Sequence, residues 1–381
     1  MSEPAPQHAA DLQRSAIERL HASPWCGVLS VTGGGATALG RLLAVPGASA
    51  TVIEAVVPYA ERSLAEWLGA APPQASNDTT ARAMAMRSLQ RAIALTEDAT
   101  EHLFGLGATA SLTTGRPKRG EHRVCIAVQT LKQTVAMRLD LEKGARNRDE
   151  EEAVASHAIV ALLADAVGLA AIDIAKTPPG VEVKVERSGE HPDWGDLISG
   201  RSDCVTIGAS CKKPAALFPG SFNPPHQGHR GMADLARRRL GAAPLYELSV
   251  TNAEKPPLDF LELEKRVALV DAPMLLTNAP TFVEKARLTP GAVLLVGADT
   301  LERIAQPRFY TDGKEGRDRA IAEIDSVGCR FLAFGRTADG SFVGADDLRL
   351  PPALRAICDA VQESEFRYDQ SSTAVREQTQ S

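Results

Sequence analysis

The chain has 381 residues, 44% of them hydrophobic and 24% charged. This is a globular composition too long for one ordinary core, so about two to three domains are expected. A formal net charge of −6 and an aromatic content of 4% argue against a nucleic-acid track and against base-stacking platforms, and no apolar run approaches the roughly 20 residues that span a bilayer.

Six cysteines without a Cys-x-x-Cys pair read as reduced core thiols rather than disulfides or zinc ligands. The segment Met1-Ser-Glu-Pro-Ala-Pro-Gln-His8 has neither a basic flank nor an apolar stretch, so no signal peptide is expected there and a cytoplasmic protein is. The spacing predicts a helix over 9–22, a strand over Cys26–Val31, then Thr32-Gly-Gly-Gly-Ala-Thr37 and a second helix. Thr51–Val57 reads as a strand, and Asn77-Asp78 caps a long helix that runs to Leu95. Strands are expected at 107–112, 123–129 and 134–141. A helix from Arg148 to Val167 follows, with Glu150, Glu151 and Glu152 in the first turn, where the dipole favours acid. These elements make a first domain, residues 1–176.

Within it, Leu29-Ser-Val-Thr-Gly-Gly34, Val45-Pro-Gly-Ala-Ser49 and Val56-Val-Pro-Tyr59 stand in a particular order. The CinA C-terminal family carries Glu-Ser-Cys-Thr-Gly-Gly, Val-Pro-Gly-Ser-Ser and Val-Ala-Tyr-Ser in that same order. Residues from about 10 to 170 resemble this family, whose active members are nicotinamide-nucleotide amidohydrolases. The resemblance implies an α/β domain and puts Ser30 on the nucleophile position and Tyr59 on the active-site tyrosine. Two departures stand out. The family's activating lysine is Leu64 here, and its Thr-Gly-x-Ala-Gly-Pro-Gly-Gly loop is replaced by Thr113-Thr-Gly-Arg-Pro-Lys-Arg-Gly120. A serine without a base is a poor nucleophile at neutral pH. The expectation is therefore a degenerate amidase domain, kept as a homo-oligomerisation scaffold or as a mononucleotide-binding regulator. Arg116-Pro-Lys-Arg119 reads either as a solvated turn or as an attractor of phosphate.

Residues 177–213 read as a connector with a small β element. Pro178-Pro-Gly180 breaks structure, Val181-Glu-Val-Lys-Val185 alternates as a half-buried strand, Gly189–Gly195 is turn-rich, and Asp203–Ile207 is the expected partner strand.

A second domain, 214–381, follows. Strands are expected at Ala215–Phe218, Leu245–Val250, Ala292–Val296 and Arg330–Phe334, alternating with helical stretches near 258–270, 300–305, 318–324 and 352–361. This alternation implies a mostly parallel sheet covered on both faces, with ligands beyond the carboxyl ends of its strands. Between the first strand and a helix marked by Met232, Leu235, Ala236 and Leu240 stands Gly220-Ser-Phe-Asn-Pro-Pro-His-Gln-Gly-His229. A strand, a Gly/Pro loop and a helix start form an anion cradle, because the N–H groups of the first turn have no intrahelical partner. His226 and His229 fall at that helix mouth. There an imidazole N–H, neutral or protonated, donates to a phosphate oxygen whose charge grows in a transition state. At the far end, Asp369-Gln-Ser-Ser-Thr-Ala-Val-Arg376 offers Ser371 or Ser372 as a helix cap and Arg376 one turn along the same face, so that their donors converge on one anion.

The first of these segments resembles the His-x-Gly-His signature of the nucleotidyltransferase superfamily, and most closely that of the nicotinate/nicotinamide mononucleotide adenylyltransferases. The second resembles their Ser-Ser-Thr-x-x-Arg motif. The resemblance covers roughly the last 170 residues and implies a Rossmann-like nucleotidyltransferase domain. It makes His226 and His229 catalytic and sets Gly220, Ser221, Phe222, Asn223, Ser371, Ser372, Thr373 and Arg376 against the nucleotide phosphates. Lys255, in Thr251-Asn-Ala-Glu-Lys-Pro-Pro-Leu258, and Asp299, in Val296-Gly-Ala-Asp-Thr-Leu301, match further family segments. By themselves the first also reads as a solvated loop lysine and the second as a helix N-cap. The implied reaction has the phosphate of a pyridine mononucleotide attack the α-phosphorus of ATP in line, releasing pyrophosphate, with Mg²⁺ held mainly by substrate and water. This is a step of NAD biosynthesis. A bifunctional enzyme with residual amidase activity and a non-catalytic nucleotide sensor are the alternatives. The chain runs five residues beyond Arg376, where family members usually continue through another helix. The phosphate-binding helix that carries Arg376 is therefore expected to be short and to need support from the first domain or a second subunit.

Overall fold

The computed structural model describes residues 6–97, 101–115, 120–171, 177–208, 213–251, 258–338 and 341–368. It divides into two compact units, Met1–Ser202 with Ala253–Leu263, and Asp203–Asn252 with Glu264–Ser381.

The first unit runs α1 (Pro6–His21), β1 (Cys26–Thr32), α2 (Thr37–Ala44), α3 (Ala48–Thr51), β2 (Val52–Val56), α4 (Glu61–Leu68), α5 (Asp78–Leu95), β3 (Leu103–Ser111), β4 (His122–Thr130), β5 (Thr134–Leu141), α6 (Arg148–Ala166), β6 (Val181–Arg187) and α7 (Pro192–Ser199). Its strands form one sheet in the order β2-β1-β3-β4-β5-β6. The pairs β2/β1 and β1/β3 are parallel; the rest are antiparallel. A core including Ile17, Leu42, Ile159 and Leu163 fills one side. On the other, α5 lies directly on β3, because a Cβ at Gly105 would stand 2.1 Å from the Leu89 nitrogen and one at Gly107 would stand 2.3 Å from the Ala81 oxygen. The strand opens at Leu103 instead of the expected Gly107. Those glycines are the notch that lets a helix backbone touch a strand.

The cap at the start of α5 forms as expected, with Asn77 Oδ1 accepting the Thr80 N–H at 2.7 Å. In α6, Asn147 and Glu150 make a reciprocal capping box. The other two glutamates reach away from the helix dipole. Glu151, fully buried, accepts the Thr113 N–H at 2.6 Å and pairs with His122 Nδ1 at 2.8 Å. Glu152 accepts the Gly35 N–H at 2.7 Å and the Thr37 N–H at 3.0 Å. A side-chain carboxylate thus satisfies the donors at the start of α2. The segment Leu258–Leu263 also packs in this unit. Asp259 pairs with Arg82 at 3.2 Å, the Phe260 N–H donates to Thr134 Oγ1 at 2.9 Å, and the Phe260 ring meets Trp194 edge-on at 5.4 Å. Burial pushes the Asp259 carboxyl up, against the pull of Arg82.

The expected pairing inside residues 177–213 does not occur. β6 joins β5, because its alternating Val181, Val183 and Val185 pack on the first core. The stretch Cys204–Ile207 pairs antiparallel with a strand of the other sheet. Between them, where a turn was expected, Pro192 and Asp193 start α7, which buries Trp194 and Leu197.

The second unit runs β7 (Cys204–Ile207), β8 (Ala216–Pro219), α8 (Gln227–Leu240), β9 (Leu245–Ser249), α9 (Phe260–Leu269, from Glu264 on in this unit), β10 (Met274–Thr277), α10 (Phe282–Leu288), β11 (Val293–Gly297), α11 (Ala298–Ala305), α12 (Gly313–Ser326), β12 (Arg330–Phe334), β13 (Arg336–Ala338), β14 (Ser341–Val343), α13 (Pro352–Ala356) and β15 (Cys358–Val361). Seven strands form a sheet in the order β15-β12-β11-β8-β9-β10-β7, parallel except for β7. The mostly parallel α/β sheet is therefore present. The fully buried four-residue strand β10 went unanticipated because its apolar run is too short to show a period. The helix expected over 352–361 stops at Ala356, and Cys358–Val361 adds an edge strand to β12. Among the described residues no helix is long and apolar enough to cross a membrane.

Candidate active site

The turn after β8 carries the two histidines. The Gly220 N–H donates to the Glu247 carbonyl at 3.0 Å, continuing the pairing of β8 with β9. Phe222 then takes a left-handed backbone angle, φ +43°, that bulky side chains rarely adopt. Its ring turns inward, fully buried, 5.5 Å from the Phe218 ring, 5.1 Å from Tyr246 and 5.4 Å from His229. Expected to contact the nucleotide, Phe222 instead has no side-chain surface for it; the ring is the floor on which His229 rests.

His226 is the N-cap of α8. Its N–H donates to His229 Nδ1 at 3.1 Å. With Nδ1 accepting, a neutral His229 carries its proton on Nε2, which is left as a donor. Burial among aromatic rings, helped by repulsion from His226, lowers the His229 pKa to about 4; burial also lowers that of His226. The imidazoles lie 3.8 Å apart at 34°, and Tyr368 stacks on His226 at 5.5 Å and 3°. In a pH titration followed by NMR, the His229 Cε1–H shift is expected to stay flat from pH 8 to about pH 5 and to move only near pH 4. The unfolded chain takes up this proton near pH 6.5. Its contribution to stability is therefore fully present above that pH and is lost as the pH falls toward 4. A midpoint near 6.5 in the folded protein would contradict the buried, neutral assignment.

The remaining expected residues divide. Ser221 is exposed and its carbonyl accepts from Arg266 at 3.2 Å, while Asn223 is half-buried beside it in the same turn. Asp299 is not the N-cap of α11; Gly297 is. It stands in the first turn and pairs with Arg336 at 2.7 Å. Because β11 neighbours β8, this turn and the histidine turn both follow carboxyl ends of adjacent strands. Lys255, Ser371, Ser372, Thr373 and Arg376 lie outside the described residues, as does Arg116–Arg119. Among the described residues no group of three or more His, Cys, Asp or Glu side chains is arranged to hold a metal ion.

In the first unit the structure separates the two amidase positions. Ser30 is fully buried in β1, its hydroxyl bonded to Ser88 Oγ at 2.9 Å and to the Leu106 carbonyl at 3.1 Å. A hydroxyl held there has no exposed surface, which agrees with the expectation of a degenerate amidase domain. Tyr59 is 68% exposed and lines a cavity of about 230 Å³ with Val31, Thr32, Gly33, Val57 and Arg148, to which Ser30 does not contribute. Leu64 is a core residue of α4.

Motif reading did not reach Phe218, Tyr246, Arg266, Arg336 or Tyr368. The first two are ordinary strand residues until the fold sets Phe218 against His229 and Tyr246 against Phe218 and Phe222. Tyr368 had one signal, its place three residues before Ser371.

Residues 217–378 match the cytidylyltransferase-like family. A Schizosaccharomyces pombe protein provisionally named a nicotinamide mononucleotide adenylyltransferase is 34% identical over 144 residues, which cover 34% of this chain and 56% of that one. An Agrobacterium fabrum protein provisionally named a nicotinate-nucleotide adenylyltransferase is 45% identical over 53 residues, 14% of this chain and 28% of that one. The chain thus spans about half the length of the first relative and less of the second. Two solved structures cover the N-terminal half. The competence/damage inducible protein CihA of Agrobacterium tumefaciens has a TM-score of 0.34 and 19% identity, covering 44% of this chain and 99% of that one. A CinA superfamily protein of Escherichia coli has a TM-score of 0.33 and 17% identity, covering 43% and 92%. The C-terminal part of the chain, residues 217–378, is accordingly a cytidylyltransferase-like domain, similar to these two adenylyltransferase-named proteins.

Proposed function

We propose that this protein transfers AMP from MgATP to a pyridine mononucleotide, nicotinate or nicotinamide mononucleotide, and releases pyrophosphate, a step of NAD biosynthesis. The observation that carries this reading is the neutral His229 imidazole. Its Nδ1 is tied to the His226 backbone, so Nε2–H is left as a fixed donor at the mouth of α8. An adenylyl transfer needs a donor aimed at the oxygens of the transferring phosphoryl, and it needs little covalent chemistry from the protein. A donor held in place before the reaction loses no energy to reorganisation during it.

In the proposed complex the phosphates of ATP lie against the turn Gly220–Asn223 and the first N–H groups of α8, with His229 and His226 donating to the α-phosphoryl oxygens. Lys255, Asp299 and the cluster Ser371, Ser372, Thr373 and Arg376 complete the nucleotide site. Tyr368 favours this arrangement, since a chain of three residues reaches no farther than about 11 Å and Tyr368 rests on His226. Mg²⁺ enters with the triphosphate as part of the substrate.

The proposed setting is cytoplasmic and homo-oligomeric through the N-terminal unit, where Leu43, Val57 and Tyr59 are exposed. Amidase activity finds no support in a buried Ser30 and a leucine at the base position. The deciding experiment incubates the protein with Mg²⁺, each nucleoside triphosphate and a panel of phosphate acceptors, and follows pyrophosphate. Release is expected with ATP and a pyridine mononucleotide. Release only with CTP, or only with an acceptor lacking the pyridine ring, would reject the reading.

A further inference from the structure

After β15 the chain returns along α8 and brings Tyr368 to the histidines. Gln362 opens it with a turn in which its carbonyl accepts the Glu365 and Phe366 N–H groups at 3.0 and 3.2 Å. Three successive anchors follow. Glu365 pairs with Arg239 in the last turn of α8, and that contact lowers the Glu365 pKa. The Phe366 ring meets Phe334 edge-on at 5.3 Å and lies over Gly231, where a Cβ would stand 2.7 Å from the ring. The Tyr368 ring lies over Gly228, where a Cβ would stand 2.6 Å from it, and is nearly parallel to His226. Neither glycine has a left-handed backbone angle, so local conformation does not demand them. Their place on α8 is explained by the two aromatic rings that close on it.

His226 thus has two ring neighbours, His229 at 3.8 Å and tilted by 34°, and Tyr368 at 5.5 Å and parallel to within 3°. His229 in turn lies against Phe218 and Phe222, at 5.9 and 5.4 Å between ring centroids. An imidazole at a helix N-cap would otherwise turn about its Cβ–Cγ bond and present its nitrogens in several directions. Beside the parallel Tyr368 ring it keeps one plane.

We infer that Tyr368 is a positioning residue for adenylyl transfer: its ring fixes the plane of the His226 imidazole, and by the docking of residues 362–368 on Gly228 and Gly231 it links the C-terminal segment to the catalytic turn. This rests on the functional reading above. The role is assigned to the ring, because the contact with His226 is a parallel stack.

The test compares Tyr368→Phe, Tyr368→Leu and Tyr368→Ala in the full chain. Leucine keeps apolar bulk without a flat ring, so it separates stacking from filling. With MgATP and the mononucleotide the wild type uses, Phe is expected to keep kcat within about twofold. Leu and Ala are expected to lower kcat about tenfold, with both KM values within about threefold. Histidine-labelled protein read by NMR supplies a measurement independent of turnover: the ring-current shift on His226 Cε1–H should persist in the Phe variant and vanish in the other two. Unchanged or raised kcat in Leu and Ala, a change confined to KM, or a His226 shift indifferent to residue 368 overturns the inference. Should the wild type release no pyrophosphate from any pair of substrates, the functional reading fails, while the NMR comparison still decides whether Tyr368 holds His226.

Discussion

Replacing His229 by alanine is expected to lower kcat for adenylyl transfer by about 10²–10³-fold, with KM for both substrates changed far less. That is the usual cost of removing one preorganised donor aimed at transition-state charge. An interaction made only in the transition state lowers kcat and kcat/KM together. A second variant separates catalysis from folding, because His229 also has a structural task. Its Nδ1 accepts the His226 N–H, and its ring fills the space over Phe218 and Phe222. His229→Asn keeps an acceptor near the Nδ1 position and removes Nε2. It is expected to unfold closer to the wild type than His229→Ala does, and to be as inactive. Steady-state kinetics and urea unfolding of both variants make the check. Near-normal turnover in either would remove His229 from the chemistry.

The second large effect is expected one layer below. Glu247 on β9 and Lys285 on α10 form an ion pair of 2.8 Å, at 1% and 7% side-chain exposure. Thr277 Oγ1 donates to the same carboxylate oxygen at 2.5 Å, and Lys285 Nζ also donates to the Ala279 carbonyl at 2.7 Å. The backbone carbonyl of Glu247 receives the Gly220 N–H, so the pair lies under the start of the histidine turn. Lys285→Met leaves a carboxylate buried without its counter-charge, a change that typically costs about 3–5 kcal/mol. At roughly 2–4 °C per kcal/mol for a unit of this size, the melting transition of the C-terminal unit should fall by about 10 °C. Adding Glu247→Gln removes the stranded charge while keeping an acceptor for Thr277. The double variant should recover at least half of the loss. A double variant no better than Lys285→Met alone would mean that packing of the lysine stem, and not its charge, stabilises this region.

Both predictions concern groups whose identities are plain in the sequence and whose roles are not. His226 and His229 stand out because two imidazoles and four Gly and Pro positions fall between an apolar strand and a helical period. That pattern is local and survives without any tertiary information. Glu247 and Lys285 are separated by 38 residues and carry no motif. Nothing along the chain distinguishes them from solvated charges until β9, β10 and α10 close around them. Phe222 shows the opposite case, a motif residue whose position was legible and whose direction was not: a left-handed turn sends its ring inward under His229. Ser30 was read as a vestigial position from its sequence neighbours, whereas its burial against Ser88 of α5 is visible only in the fold.

The sequence by itself determined the alternation of strands and helices in the C-terminal unit, the cap of α5 at Asn77, and the histidine turn at a strand–helix junction. Each of these follows from periodicity or capping within a few neighbouring residues. The tertiary structure decided the partners of β6 and β7, the Nε2–H state of His229 with its pKa near 4, and the stacking of Tyr368 on His226. These depend on which distant groups exclude water from one another. Desolvation and stacking act across space between residues as far apart as 226 and 368, and no local pattern records them.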